Sequence, residues 1–385
     1  FIEFINSIIF AFLFSMKRLL ITVAICAAVV LGAHPKAHQL NGYTFEQYVR
    51  DFGKKYASAK EYEMRKVVFE KKLAVVQAHN AGSHSYKKGI NHMSDWTHEE
   101  FLRTNGGRPR AMAHLADKSK QRAFVARDVP LPPSIDYRNR IPAVLTAVKD
   151  QGDCGSCWAH GSTEQMETYW ALATNELYVA SQQQVTACAP NPQQCGGTGG
   201  CLGSTAELAF EYVINSGGLT QEWEYPYTAY NGTTGQCLGT SDPRIKLTGY
   251  VKLNSNDQDA VMNALAFTGP LAINVDASSW SDYESGVFSG CNYANNITID
   301  HVVQLVGYGT DDGLGLDYWV VRNSWSPIYG ESGFIRVLRT ATPACGWDVD
   351  AQQGYACADQ PTQLWVCGEC GILGDTSYPI VQSNQ

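Results

Sequence analysis

Gln151-Gly152-Asp153-Cys154-Gly155-Ser156-Cys157-Trp158 is the stretch on which the reading of this chain turns. It holds two cysteines three residues apart, with a glutamine six residues before the second. A Gly-Ser pair precedes Cys157, and the residues after it have helical character, so Cys157 stands at the start of a helix. A helix N-terminus stabilises negative charge, and the thiolate is the reactive form of cysteine. Cys157 is therefore a candidate nucleophile. Farther on, His301 can supply an imidazolium beside the thiolate and later protonate a leaving amine. Asn323, in the run Asn323-Ser324-Trp325, can orient that histidine without adding charge, with Trp325 shielding the bond from water. The Gln151 amide and the Cys157 backbone N–H are candidate donors to an oxyanion.

Outward from the octet, the chain divides into unlike parts. Met16-Lys17-Arg18, the uncharged apolar run Leu19 to Leu31 and the small pair Gly32-Ala33 form a signal-peptide pattern. The apolar run is too short for an ordinary membrane span, so cleavage is expected and no span remains in the mature form. Residues 1–15 precede this initiator and are read as upstream sequence or a cloning artefact. Residues 38–105 are helical and charged, with Glu61, Arg65, Phe69, Leu73, Val76 and Asn80 recurring at helical spacing. Residues 105–128, rich in Arg, Lys, Ala and Gly, have the composition of an exposed, cleavable linker. A boundary falls near residue 130, giving 1–33 as leader, 34–129 as a removable prefix and 130–385 as the main domain.

In the main domain, helices are expected at Cys157 to Ala173, Ser204 to Asn215 and Asp257 to Ala266. Strands follow at Leu271–Val275, Val302–Tyr308, Asp317–Arg322 and Gly333–Leu338. Helices first and antiparallel strands later give an α+β fold of two halves, with the site in the cleft between them. The composition, 44% apolar and 17% charged, is that of a globular protein, and the net charge of -8 argues against a nucleic-acid binder. Of 12 cysteines, Cys26 leaves with the leader and Cys157 must stay free, so ten remain for five bridges in an oxidising compartment. The acceptor motifs at Asn231 and Asn296 fit the same secretory route.

The octet, the run Asp300 to Gly309 around His301 and Val321-Arg322-Asn323-Ser324-Trp325 together resemble the papain family of cysteine peptidases. In the prefix, Glu61, Arg65, Phe69 and Asn80 resemble the interrupted helical motif of cathepsin L-type propeptides, with Lys72 and Val76 at two variant positions. Gly89, Asn91 and Asp95 resemble a second propeptide motif, with Met93 in place of Phe. The resemblance covers roughly residues 40–381. It implies a papain-like two-lobed fold, a helical half and an antiparallel β-barrel half, in a proenzyme of a cysteine endopeptidase. Its propeptide would lie reversed through the cleft. Gln151, Cys157, His301 and Asn323 carry over as oxyanion donor, nucleophile, acid/base and orienting residue. The implied partners are protein and peptide substrates, the chain's own propeptide as inhibitor and cystatin-type inhibitors. A monomer without cofactor or metal is implied, in a lysosome or vacuole or outside the cell.

The resemblance also pairs Cys154 with Cys201, Cys188 with Cys237 and Cys291 with Cys370. Cys195, Cys345, Cys357 and Cys367 have no counterparts; three lie in an insertion at about 340–369. Two further bridges are expected there, the competing reading being a zinc site of Cys345, Cys357, Cys367 and Cys370. Gly203 and Ser204 fall in a loop whose backbone, by the resemblance, bonds the substrate as an added strand. Thr205, Ala206, Ala277, Val302 and Asp375 align with the subsite for P2, the second residue before the scissile bond. Small residues there imply an apolar P2. Asp375 either pairs with a P2 Arg or is a solvated carboxylate. His160, one turn from Cys157, is read as an interior residue, with a second catalytic histidine as the alternative. The Cys157-Trp158-Ala159-His160-Gly161-Ser162 run resembles the exopeptidase cathepsin X, although the helical prefix does not. A catalytically silent binding or inhibitor protein is the other alternative.

Overall fold

The computed structural model describes residues 34–105, 118–239, 242–291, 293, 296–354, 356–358 and 360–382. The leader and the middle of the linker lie outside these residues. Among the described residues, no helix is long and apolar enough to cross a membrane.

The prefix holds α1 (Phe45–Asp51), α2 (Ala59–Ala81), β1 (Tyr86–Lys88) and α3 (His98–Thr104). Each helix starts on a hydroxyl cap, at Thr44, Ser58 and Thr97, and the first and last are full capping boxes with Gln47 and Glu100. Phe45, Tyr48, Phe69, Leu73 and Val76 close a small core of their own. The motif residues have identifiable work. Arg65 grips Glu100 with two nitrogens at 2.5 and 2.8 Å, tying α2 to α3. Asn80 exchanges hydrogen bonds with the backbone of Lys88. Buried Asp95 accepts from Tyr48, Lys54 and Tyr56.

β2 (Gln121–Ala123) closes the prefix, and the main domain follows as β3 (Ile135–Asp136), α4 (Cys157–Thr174), α5 (Gln182–Cys188), α6 (Ala206–Ser216) and β4 (Leu247–Lys252). Then come α7 (Gln258–Phe267), β5 (Leu271–Val275), β6 (Tyr283–Phe288), β7 (His301–Asp311), β8 (Leu316–Arg322) and β9 (Phe334–Leu338). The chain ends with β10 (Cys345–Asp348), α8 (Ala351–Gly354), β11 (Leu364–Cys367) and β12 (Thr376–Val381). The second expected helix starts at Ala206, because Thr205 is its cap and accepts from the Leu208 N–H.

The main sheet runs β1-β6-β9-β8-β7-β5-β12-β4-β2, with β3 on β7, and β10 and β11 form a separate ribbon. Most pairs are antiparallel; β6–β9 and β2–β4 are parallel. The prefix thus adds strands at both ends of the sheet, β1 on β6 and β2 on β4. One core lies under the helices and includes Trp158, Met166, Phe210 and Val213. The other lies among the strands around Trp280, Trp319 and Val321. This is the two-lobed papain-like α+β architecture.

Helix α4 runs between the lobes, and every residue from Cys157 to Ala171 is buried. Its buried charges are matched: Glu167 by Lys149 at 2.5 Å, and Glu164 by fully buried Arg322 of β8 at 3.3 Å. Gly161 lets the helix approach β7, since a Cβ there would meet Val302 Cγ1 at 3.3 Å.

Five disulfides join Cys154–Cys201, Cys188–Cys237, Cys195–Cys357, Cys291–Cys370 and Cys345–Cys367. A zinc site would need four free thiols, and each of its proposed ligands is spent in a bridge. Among the described residues, Cys157 is the free cysteine.

Candidate active site

The octet turns at Gly152, whose φ of 60° suits glycine. It is pinned to the helical lobe by the Cys154–Cys201 bridge and by the Gly155 N–H on the Cys201 carbonyl at 3.1 Å. Ser156 then precedes α4, placing Cys157 at its first turn. Gln151 is held from the opposite lobe. Its N–H donates to the Ser324 carbonyl at 2.9 Å, and its Oε1 accepts from Ser324 Oγ at 2.6 Å. That clamp aims Nε2 into the cleft. Ser324 was not singled out from the sequence, although it sits in the Asn323-Ser324-Trp325 run. Tyr227 was also missed: it bridges Ser156 Oγ at 2.7 Å and the Gln151 carbonyl at 2.9 Å.

His301 opens β7, and Asn323 follows β8, the adjacent strand. Nε2 of His301 lies 2.8 Å from Asn323 Oδ1, which also accepts the Ser324 N–H at 2.8 Å. An acceptor at Nε2 places the proton there and leaves Nδ1 as the basic nitrogen. Nδ1 has no hydrogen-bond partner among the described residues. Trp325 stacks on the imidazole at 4.7 Å, and Tyr329 packs edge-on against Trp325 at 5.2 Å. Ser326, directly after Trp325, takes a φ of 73°, unfavourable for a residue with a Cβ.

The prefix fills this cleft. At the end of α3 the Thr104 carbonyl accepts from Gln151 Nε2 at 2.5 Å, and the Asn105 carbonyl lies 3.7 Å from Cys157 Sγ. Asn105 Nδ2 donates to Asp300 Oδ2 at 2.9 Å, and Phe101 packs on Trp325. Burial pushes the Cys157 thiol up to about 12, against the pull of nearby backbone N–H groups. Burial lowers His301 to about 4, although Asn323 favours its charged form. Between those values the covered cleft carries neither thiolate nor imidazolium.

The remaining candidates divide. Ser204, Thr205, Ala206, Ala277 and Val302 are each buried; Ala206 and Val302 pack in one cluster with Cys157, and Ala277 belongs to the core of the strand lobe. Gly203 takes the positive φ, 85°, and Ser204 does not, so the serine is accommodated without strain. Asp375 corrects both readings of it. It is 1% exposed, so it is not solvated. Its carboxylate accepts from Asn274 at 3.1 Å and is paired at 2.6 Å with Lys252 Nζ, which also lies 3.8 Å from Glu207, so its charge is already engaged within the lobe.

His160 is an interior residue. It is 1% exposed, bonds the Ser156 carbonyl at 3.0 Å through Nδ1, and meets Tyr227 edge-on. Burial holds it down to about 3, so it stays neutral in the working range. His160→Phe is expected to keep kcat/KM within about threefold, against the 10²-fold or more carried by a general acid or base. A larger loss of turnover in steady-state assays would assign it a chemical role.

Residues 131–355 match the family described as papain family cysteine protease, and residues 45–101 match the cathepsin propeptide inhibitor domain. A probable cysteine protease of Arabidopsis thaliana is 33% identical over 330 residues, covering 85% of each chain. Cathepsin S of Mus musculus is 34% identical over 311 residues, 79% of this chain and 87% of that protein. Among solved structures, digestive procathepsin L 3 of Tenebrio molitor larval midgut superposes with a TM-score of 0.69 at 30% identity, covering 87% of this chain and 97% of the other. A recombinant stem bromelain precursor gives 0.70 at 29% identity, covering 88% and 98%. With its thiol, imidazole and carboxamide in one cleft beneath a cathepsin-type propeptide, the chain belongs to the papain family of cysteine proteases and is a proenzyme of that family.

Proposed function

We propose that Cys157 is the nucleophile and His301 the general acid/base of this peptidase. Asn323 orients His301, and the Gln151 amide and Cys157 N–H bind the oxyanion. The Cys157 thiolate attacks the scissile carbonyl, whose π electrons pass to oxygen. The imidazolium protonates the departing amine as the C–N bond breaks, leaving a thioester. Water then gives a proton to His301 and attacks the thioester, releasing the carboxylic acid and the thiolate. The observation that carries this assignment is the propeptide's own backbone. Its Thr104 and Asn105 carbonyls meet Gln151 Nε2 and Cys157 Sγ, the groups a scissile carbonyl would need.

Residues 34–129 act in this reading as the inhibitory propeptide, 130–385 as the peptidase and 1–33 as the leader. Delivery to a lysosome or vacuole, or secretion, fits five disulfides and two exposed acceptor asparagines, Asn231 and Asn296. The mature enzyme is a monomer open to cystatin-type inhibitors. All four catalytic identities are present, which favours this reading over a silent binding protein.

The P2 residue is apolar, since the residues expected to line the pocket are small and apolar and Asp375 is already paired with Lys252. A series of dipeptide reporters varied at P2 tests this. Leu, Phe or Val should exceed Arg by about tenfold or more in kcat/KM, the scale of a buried charge left unpaired. Equal use of Arg, lost in Asp375→Ala, would overturn it.

A further inference from the structure

The insertion between Arg339 and Cys370 has no part in the chemistry above, yet it is anchored to both lobes. On the strand lobe, Ile297 donates to the Trp347 carbonyl at 3.2 Å and accepts from the Val349 N–H at 3.2 Å. Val366 packs there with Ile297 and Ile299 in a buried cluster. On the helical lobe, Cys357 is bonded to Cys195. Beside that bridge, the Gly196 N–H donates to the Ala356 carbonyl at 3.2 Å, and Ala358 donates to the Gln193 carbonyl at 3.2 Å.

Between the two anchors lies α8. Its last residue, Gly354, is wedged between the walls of the cleft. A Cβ on Gly354 would strike the Ile299 carbonyl, and a Cβ on Gly196 would strike the Gly354 carbonyl and come within 3.0 Å of the Ser204 carbonyl. Ile299 lies two residues before His301, and Ser204 stands on the wall that lines the substrate before its scissile bond. At that end of the cleft, residues up to Gly354 thus meet the strand lobe, and Ala356 to Ala358 meet the helical lobe. The contacts named lie at Ser204 and Ile299 and not at Trp325, on the leaving-group side. A strap of main chain, covalently fixed to both lobes, cannot yield to a peptide as a side chain can.

The same end carries buried carboxyls with no cation beside them among the described residues. Burial raises Asp300 well above the usual carboxylate range and Asp348 to about 7, so a cation is what they need in order to ionise. Asp276, Asp300 and Asp348 influence one another electrostatically. None is ion-paired to a Lys or Arg among the described residues. Asp348, at the end of β10, is fully buried, and its Oδ2 has no hydrogen-bond partner. In the proenzyme the Asn105 amide donates to one of these carboxylates, Asp300. An α-ammonium group arriving here would supply the missing positive charge.

We infer that the strap closes the cleft beyond the P2 position, so that the mature enzyme takes peptides by a free N-terminus and removes one or two residues at a time. This rests on the hydrolase assignment above and replaces the expected endopeptidase with a chain-end peptidase. No new chemistry is required; the released fragment is the acyl part of the same thioester.

The test uses the full-length protein after acid processing, with active sites counted by an epoxide that alkylates thiols. Three reporters share an apolar P2: a dipeptide with a free amine, the same dipeptide N-acetylated, and the same dipeptide extended by two residues at its N-terminus. The capped and extended reporters should fall below the free one by about tenfold or more in kcat/KM. Equal or better cleavage of the extended reporter overturns the strap. No cleavage of any reporter and no labelled thiol overturns the hydrolase assignment with it, a result distinguishable from the first. The double variant Cys195→Ser, Cys357→Ser frees the strap from the helical lobe. It should raise cleavage of the extended reporter and leave the free dipeptide within about twofold; unchanged discrimination in the folded, titrated variant rules out the strap as its cause.

Discussion

Cys157→Ala is expected to give a folded proenzyme that is not processed at acidic pH and hydrolyses peptides at least about 10⁴-fold more slowly than wild type. The substitution removes one sulfur from the first turn of α4 and leaves all five disulfides of the described residues intact, because Cys157 takes part in none of them. Folding is therefore preserved, and the loss is chemical. Without the thiolate no thioester forms, and the remaining groups, Gln151 Nε2 and the His301–Asn323 pair, can only bind and polarise a carbonyl. The check is twofold: intact mass after acid incubation, and active-site-normalised rates on a dipeptide reporter. Residual activity near wild type would mean that another residue forms the covalent intermediate.

Removing the propeptide should raise the rate at which iodoacetamide alkylates Cys157 at pH 7 by about 10³-fold or more. In the proenzyme burial holds the thiol up to about 12 and leaves Cys157 3% exposed. At pH 7 the covered thiol is then almost entirely protonated. Uncovering the cleft removes the larger cause, desolvation, and leaves the helix N-terminus and an imidazole that can now be charged. Thiolates of lower basicity attack more slowly, so the gain in rate is smaller than the gain in thiolate. Timed alkylation followed by peptide mapping measures it. Equal rates before and after processing would show that the propeptide does not mask the thiol.

The same burial sets the direction of the pH response. His301 is held down to about 4 under the propeptide, below its ordinary value of 6.5. The open cleft therefore binds a proton more readily than the covered one. On the imidazole's account alone, propeptide binding weakens as pH falls from the open-state value towards 4; the thiol, raised under the cover, opposes this by taking up a proton on binding.

What the sequence discloses and what it hides follow from how far apart the causes lie. The octet is local: two glycines, a bridge cysteine and a helix start lie within eight residues, so its reading needs no tertiary knowledge. Strands such as Leu271–Val275 are short apolar runs between turn residues and are equally legible. Helix α4 is harder to read by periodicity, because it is buried all round and carries Glu164 and Glu167 inside. Its apolar stripe does not exist. The clamp of Ser324 on Gln151 joins residues 173 positions apart, and the lysine that pairs with Asp375 lies on another strand. No spacing rule finds such partners. Cys195–Cys357 spans 162 residues, and cysteine counting predicted a bridge without its partner. That one pairing turns the insertion from an appendage into a strap across the cleft.

The measurement that bears most directly on the central claim is a titration of the acid-processed enzyme with a thiol-reactive epoxide, following hydrolysis and adduct mass together. The account predicts that activity falls linearly to zero at one equivalent per chain, with the single adduct on Cys157 and none on the unprocessed proenzyme. Activity that survives full labelling of Cys157, or that is lost while Cys157 stays unlabelled, would contradict it.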